Sequence, residues 1–454
     1  MDTLVKDMMA KARIAQKEFA TYNQQQVDEI VRAIGKVVYD NAEELAKDAV
    51  DETRMGLYED KVLKNKGKSR NIWNNLKDKR SIGVISERDE HGIIKVAKPV
   101  GVVGAVTPTT NPVVTPMCNA MFALKGGNAI ICAPHPRSKN VSTKTVDLMN
   151  AEIRKLGGPE NLIQSISEPS LERTQELMGS CDVLVATGGP AMVQAAYSSG
   201  KPSYGVGPGN VQVIVDTDVD MDETAEKIIT GRAFDHGIIC SGEQSVIAHK
   251  DQYQAVIEAF ITKGAYYIED QELADKLRSV LFVDGHINGD VVGQSVQAIA
   301  EMAGIDVPKG ARVILIKSNG AADDILRKEK MCPVMVAFEY EDFDHAVAIA
   351  KFNLELEGAG HSAAIHSKND AHIRQAGVTL PISRLVVNEA SSLTTGGSLH
   401  NGFAPTTTLG CGSWGNNSIS ENLDYKHLIN VSRIGYKKDI VAPTDHQIWE
   451  EVVS

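Results

Sequence analysis

The stretch AIICAPHPRSKNVSTKTVDLMNAEIRKLGGPENLIQSI, residues 129–166, decides the fold class. It opens on the β-branched run Ala129–Ala133 and closes on a second run, Leu162–Ile166, with helical patterning over Ser142–Leu156 between them. Strand, helix and strand in so short a span form a parallel βαβ unit, because parallel strands need a crossover long enough to hold a helix.

The same alternation continues outward. Strands are expected at Gly101–Val106, Val183–Ala186, Val211–Val215, Ser245–Ala248, Ala311–Ile316, Val334–Phe338, Ser362–His366 and Arg384–Asn388. Helical patterns lie at Glu172–Gly179, Glu223–Arg232 and Gln252–Lys263. The expected class is therefore α/β. No repeat or low-complexity linker interrupts the chain. The domain boundary falls best near Gly231–Phe234, between two such series, giving units 1–230 and 231–427.

The region before residue 83 reads as helical. Asn23 with Gln26, and Asn41 with Glu44, have capping-box spacing. Residues 83–99, centred on Asp89-Glu90-His91-Gly92, read as a β-hairpin arm inserted in the first unit. The tail, 428–454, is expected to return to that arm through Leu428–Tyr436. An arm with open strand edges calls for a partner sheet, so a homodimer is expected.

Composition narrows the class. The chain has 454 residues, 43% hydrophobic and 23% charged, with a net charge of −12. That balance suits a packed globular protein and argues against nucleic acid or anionic lipid as partner. No secretory h-region or membrane-length apolar run is present. Six cysteines are scattered without CxxC pairs, and twelve histidines contain no HExxH. Reduced thiols, a cytoplasmic location and no metal are expected.

Chemistry concentrates in a few loops. Phe234-Asp235-His236-Gly237-Ile238-Ile239-Cys240-Ser241-Gly242 sets a cysteine in a glycine-flanked loop between a helix and a strand. A lone cysteine is more often structural. Thr187-Gly188-Gly189-Pro190 ends a strand and opens a helix, offering backbone N–H groups and a positive dipole end to a pyrophosphate. Ser391–Asn401 is rich in hydroxyls and glycines, which also describes an ordinary surface loop.

Taken in order, the motifs resemble the aldehyde dehydrogenase superfamily over essentially the whole chain, and within it the CoA-acylating branch, most closely its acylating succinate-semialdehyde dehydrogenases. They are Lys98-Pro-Val-Gly-Val-Val-Gly104, Thr107-Pro-Thr-Thr-Asn-Pro112, Ala186-Thr-Gly-Gly189 and Gly205-Val-Gly-Pro-Gly-Asn210. The Cys240 loop, Glu329-Lys-Met-Cys-Pro-Val334, Glu357-Gly-Ala-Gly-His-Ser362 and Leu409-Gly-Cys-Gly-Ser-Trp-Gly415 complete the set. The resemblance implies a Rossmann-like cofactor domain, an α/β catalytic domain and a small β oligomerisation arm.

It implies Cys240 as the nucleophile, with the Asn111 amide and the Cys240 N–H as oxyanion donors; Asn111 also reads as a turn residue before Pro112. Hydrolytic relatives carry a water-activating Glu where this chain has Gly205, so CoA is expected to resolve the thioester. His361 is expected to handle the CoA thiol or its nucleotide, and His236 is read as structural. The cofactor, NADP or NAD, is expected on Thr107, Pro108, His135, Pro136, Arg137, Ser138, Thr187, Gly188, Gly189, Gly205, Gly207 and Glu329, the last on the nicotinamide ribose. Arg137, Ser138 and Lys139 suit a 2′-phosphate or a solvated basic loop, so the two nucleotides stay open. Met331 and Cys332 depart from the family's Phe and Gly. Thr110, Ser241, Thr394 and Thr395 are expected at the aldehyde, with the Ser391–Asn401 loop holding a substrate carboxylate.

The expected activity interconverts succinic semialdehyde and succinyl-CoA. The alternative is an acylating acetaldehyde or propionaldehyde dehydrogenase. A chain ending at Ser454 is expected to carry no fused alcohol dehydrogenase domain. A non-catalytic assembly protein is the rival of another class, opposed by the joint retention of Cys240, Asn111 and Glu329.

Overall fold

A computed structural model describes residues 3–450; the outermost residues of the expected first and last segments, 1–2 and 451–454, lie outside the described residues. Four helices come first: α1 (Leu4–Phe19), α2 (Gln24–Asp40), α3 (Ala42–Thr53) and α4 (Tyr58–Leu76). Asn23 and Gln26 form the expected capping box on α2. Asn41 does not form one. Its side-chain amide donates back to the Val37 carbonyl at 2.8 Å, so it closes α2 and makes no cap bond to α3.

The arm follows as β1 (Gly83–Ser86) and β2 (Ile93–Pro99), an antiparallel hairpin. Next come β3 (Val102–Thr107), α5 (Val114–Lys125), β4 (Ala129–Pro134), α6 (Lys139–Lys155), β5 (Ile163–Ser165), α7 (Leu171–Ser180), β6 (Val183–Ala186), α8 (Pro190–Ser198) and β7 (Ser203–Gly205). These strands make an all-parallel sheet in the order β5-β4-β3-β6-β7. Strands β3 and β4 are buried along their whole length, as expected of strands covered on both faces. Helices α1, α5 and α6 pack against this sheet, and α2 packs on α5 and α6, in one continuous core.

The second unit opens with β8 (Val213–Val215), α9 (Met221–Ala233), β9 (Ser245–His249) and β10 (Ala265–Ile268). A short hairpin, β11 (Phe282–Val283) and β12 (His286–Ile287), precedes β13 (Val313–Lys317), β14 (Val334–Tyr340), β15 (Gly360–His366) and β16 (Ile382–Val387). The second sheet is also parallel, in the order β10-β13-β14-β9-β8-β15-β16. The chain thus changes sheets between Gly205 and Val213, earlier than residue 230. Strand β8 pairs with β9 and β15, so β8 and α9 belong with the second sheet. The chain then returns: Leu423 and Leu428 pack into the first core, and β17 (Ile429–Gly435) pairs antiparallel with β2. Among the described residues, no helix is long and apolar enough to cross a membrane.

Candidate active site

Strand order in the first sheet reverses between β3 and β6, so the loops leaving those strands part and open a crevice at their carboxyl ends. Facing it are the loops that enter β8, β9 and β14 of the second sheet. Between them lies a cavity of about 560 Å³. The first unit contributes Thr107–Asn111, Pro134–Arg137 and Thr187–Gly189; the second side contributes Val206–Gly209, Ile238, Cys240, Glu329 and Met331. A second cavity, about 390 Å³, approaches from the other side through Lys64, Lys68, Asn71, Ser241, Ser392, Leu393, Gly396 and Gly397. Cys240 and Asn111 line both.

The loop carrying Cys240 is held in an unusual shape. Asp235 and His236 are consecutive non-glycine residues with φ of 51° each. Left-handed backbone costs roughly 1–2 kcal/mol per such residue, so something must enforce it. Asp235 is fully buried, and its carboxylate takes Lys61 at 3.1 Å, Lys64, and the Leu57 N–H at 2.9 Å. Its own N–H donates to Asp60 Oδ2 at 2.7 Å. Helix α4 and the turn before it therefore clamp the loop. Gly237, with φ of 69°, then passes so close to the Cys332–Pro333 backbone that a Cβ would lie 2.6 Å from the Cys332 carbonyl carbon.

At Cys240 the surroundings favour the neutral thiol. Burial, then Glu329, push the Cys240 thiol up to about 12. The Cys240 N–H donates to no backbone acceptor among the described residues, which leaves it available for a developing oxyanion. The Asn111 amide donates to Thr110 Oγ1 at 3.3 Å, a long bond that a better acceptor displaces.

Most of the cofactor residues named from sequence line the larger cavity: Thr107, Pro108, His135, Pro136, Arg137, Thr187, Gly188, Gly189, Gly207 and Glu329. Buried Thr107 Oγ1 and Glu329 Oε1 have no hydrogen-bond partner among the described residues, and a polar ligand would satisfy both. Two are not in the wall. Ser138 is buried, with its hydroxyl turned onto the His135 carbonyl at 3.3 Å. Gly205 faces α8, where a Cβ would lie 2.6 Å from Val193 Cγ1 and 3.0 Å from Tyr197 Cε2. Lys139 is paired with Glu168 at 2.7 Å, leaving Arg137 as the basic side chain on the wall.

The aldehyde side needs more correction. Thr110 lines the larger cavity and Ser241 the smaller, but Thr394 and Thr395 line neither. Ser391–Thr394 is a short helix, in which the Thr394 hydroxyl donates to the Ala390 carbonyl at 2.9 Å. Thr395 is fully buried with its hydroxyl 3.0 Å from Ser391 Oγ. His361 is likewise fully buried outside both walls, 2.7 Å from Ser362 Oγ, and burial drives its imidazole down to about 3.

What sequence reasoning missed is Lys68. Its ammonium donates to the carbonyls of Gly396 at 2.8 Å and Thr406 at 3.0 Å, leaving a third donor for the smaller cavity. Burial lowers it to about 8. A Cβ on Gly396 would sit 2.5 Å from Lys68 Nζ, so glycine there admits the lysine. The available signal was the spacing Lys61, Lys64, Lys68, one face of α4 pointed inward.

The profile of the Aldehyde dehydrogenase family matches residues 2–276. Succinate-semialdehyde dehydrogenase (acetylating) of Clostridium kluyveri is 60% identical, covering 98% of both chains. The crystal structure of an acetylating aldehyde dehydrogenase from Geobacillus thermoglucosidasius superposes with a TM-score of 0.93 at 33% identity, over 97% of this chain and 98% of that one. A propionaldehyde dehydrogenase from Rhodopseudomonas palustris, solved with bound CoA and an acylated cysteine, gives 0.86 at 28% identity, covering 95% and 97%.

Proposed function

Because the chain belongs to the aldehyde dehydrogenase family, we propose that it interconverts succinic semialdehyde and succinyl-CoA, using CoA and NADP or NAD, through a thioester on Cys240. The observation that carries this reading is the position of Cys240 and Asn111 at the junction of two cavities. One, about 560 Å³, is lined by loops of both sheets, and the other is smaller and carries a cation.

Thr107, Pro108, His135, Pro136, Arg137, Thr187, Gly188, Gly189, Gly207 and Glu329 would hold the dinucleotide, with the N-terminus of α8 toward its phosphates. A bound nicotinamide supplies the acceptor for the hydride that oxidation releases. The protein's own part is to form and hold the covalent intermediate. Cys240 attacks the aldehyde carbon, and the Asn111 amide and Cys240 N–H stabilise the resulting oxyanion, where each such donor contributes about 2.7–4 kcal/mol. Loss of hydride leaves a thioester. The segment that carries the water-activating Glu in hydrolytic relatives has Gly205 here, turned toward α8, which supports the CoA thiol and not water as the group that resolves the thioester. The Rhodopseudomonas structure with CoA and an acylated cysteine supports this order of events.

For the substrate we propose that Lys68 and Ser241 receive the distal carboxylate. A carboxylate leaving water needs directed donors, and Lys68 is the cation on that wall without a carboxylate partner among the described residues. The 60% identical relative bears the same substrate in its name. All six cysteines are free, which supports a reducing, cytoplasmic setting. A homodimer through the β1-β2-β17 sheet is supported by the exposed Val84, Ile434 and Tyr436 on or beside its outer strands.

The deciding experiment is CoA-dependent NAD(P)H formation with succinic semialdehyde, butyraldehyde, acetaldehyde and propionaldehyde. A clear preference for the semialdehyde is expected. Preference for an uncharged aldehyde would shift the reading to a simple acylating aldehyde dehydrogenase.

A further inference from the structure

A buried thiol must lose its proton before it attacks, and the reading above names no group that takes it. The candidates near Cys240 are few. Gly205 offers no acid, and His361 lies outside both cavities. Glu243 is buried with its Oε1 on the Ser391 N–H at 2.6 Å and lines neither wall. Asp60, on the smaller cavity, accepts the Asp235 N–H as part of the loop clamp. Glu329 is the one carboxyl lining the larger cavity among the described residues.

Its setting suits the task. The Glu329 N–H is fixed on Glu357 Oε2 at 2.7 Å, and its side-chain Oε1 is shut from solvent without a partner. Gly209 lets it approach the nucleophile: a Cβ there would lie 3.1 Å from Glu329 Oε1 and 1.7 Å from the Cys240 carbonyl oxygen. We propose that Glu329 accepts the Cys240 thiol proton and returns it to the CoA sulfur, acting as a shuttle between two thiols. This rests on the thioester reading above and adds a role to the ribose contact expected of this residue.

In the acyl-CoA direction the Cys240 S–H bond breaks, and the proton passes to Glu329 Oε1. The Cys240 sulfur bonds to the acyl carbon, the bond from that carbon to the CoA sulfur breaks, and the departing CoA thiolate takes the proton back. Nothing is oxidised or reduced. The reverse sequence makes acyl-CoA. Burial holds the Glu329 carboxyl up to about 8; Glu357 adds to this, while Arg232, the nearby Gly209 N–H and Lys330 oppose it and Cys240 and Cys411 complete its surroundings. A proton on such a carboxyl is easily exchanged near neutral pH, where an ordinary glutamate would hold none.

The test omits the nucleotide, so that any ribose contact is silent. Wild-type enzyme and Glu329→Gln are mixed with saturating succinyl-CoA, so that weaker binding through Lys68 at high pH does not enter the rate, quenched, and the acyl group on Cys240 is measured by intact mass. Wild type is expected to acylate at a rate that rises with pH and levels off above about 8. Glu329→Gln should be slower by ~10²–10³-fold and should rise with hydroxide without that inflection. Glu329→Asp should keep the inflection with part of the rate. Equal rates and profiles in wild type and Glu329→Gln would overturn the shuttle while leaving the thioester reading intact. A wild type that never acylates would remove both. Should Glu329→Gln not fold, the wild-type profile decides, and a profile without an inflection between about pH 7 and 9 overturns the proposal.

Discussion

Lys61 Nζ stands 3.1 Å from Asp235 Oδ2, with both side chains essentially out of solvent. Lys64 reaches the same oxygen from one turn further along α4. Two cations on one carboxylate fasten the first unit's helical layer to the loop that carries Cys240. Asp235→Asn keeps the size and removes the charge, leaving two buried ammonium groups without it. Breaking such a buried pair costs about 3–5 kcal/mol. The expected outcome is a lower unfolding midpoint and reduced kcat, because the left-handed turn at Asp235 and His236 loses its clamp. A variant as stable and as active as wild type would show that the turn holds itself.

Lys68→Met should raise KM for succinic semialdehyde by ~10–100-fold and leave butyraldehyde nearly unchanged, since a hydrogen bond to a charged group contributes about 1.5–3 kcal/mol. Butyraldehyde matches the carbon count without the charge. An equal loss on both substrates would move the carboxylate elsewhere.

The same lysine predicts a pH dependence. Burial lowers Lys68 to about 8, so its charged form is present below that pH and lost as pH rises through it. The preference for semialdehyde over butyraldehyde should therefore fall above about pH 8. Taking the ratio of the two kcat/KM values cancels effects shared by both reactions.

Gly205→Glu is the obvious way to convert the enzyme to a hydrolase, and the structure predicts that it fails. A side chain there starts 2.6 Å from Val193 Cγ1 and points into α8 and Tyr197. Overpacking of this kind costs about 1–3 kcal/mol. Expected are lower stability and no hydrolysis of the acyl-enzyme in the absence of CoA, read as product without free CoA present.

The contrast between Gly205 and Lys68 shows what the sequence could and could not convey. Periodicity located all ten expected strands, because buried parallel strands are marked by their own β-branched runs. Strands β7 and β10 were not among them; β7 is only three residues long, and two of the four positions of β10, Ala265-Tyr-Tyr-Ile268, are only half-buried. Motif order pointed to the Cys240 loop, Asn111 and most of the residues that line the larger cavity, since those loops sit at strand ends whose order is fixed. Orientation was not legible. Thr394 and Thr395 have the right chemistry, but a single helical turn directs their hydroxyls onto backbone and Ser391. Lys68 lies more than 170 residues from Cys240 in sequence, and only the packing of α4 brings it to the site.

Asn111 provides the sharpest check on the covalent step. It lines both cavities, sits in the turn between β3 and α5, and spends its amide on a 3.3 Å bond to Thr110 Oγ1. If the amide serves the oxyanion, its value is realised only as the thiohemiacetal forms, so Asn111→Ala should lower kcat and kcat/KM together by ~10²–10³ with little change in substrate affinity. A purely structural turn residue predicts a different pattern. The Asn111 carbonyl already anchors α5 by accepting the Thr115 N–H at 3.2 Å, and that contact survives in alanine. Stability should therefore change little while the chemical step slows. Single-turnover hydride transfer, followed at saturating aldehyde and nucleotide without CoA, isolates that step from thioester exchange. Cys240→Ala in the same assay should give no transfer at all and fold normally. An Asn111→Ala enzyme with an unchanged burst rate would leave the Cys240 N–H as the main donor, and the turn reading of Asn111 would stand.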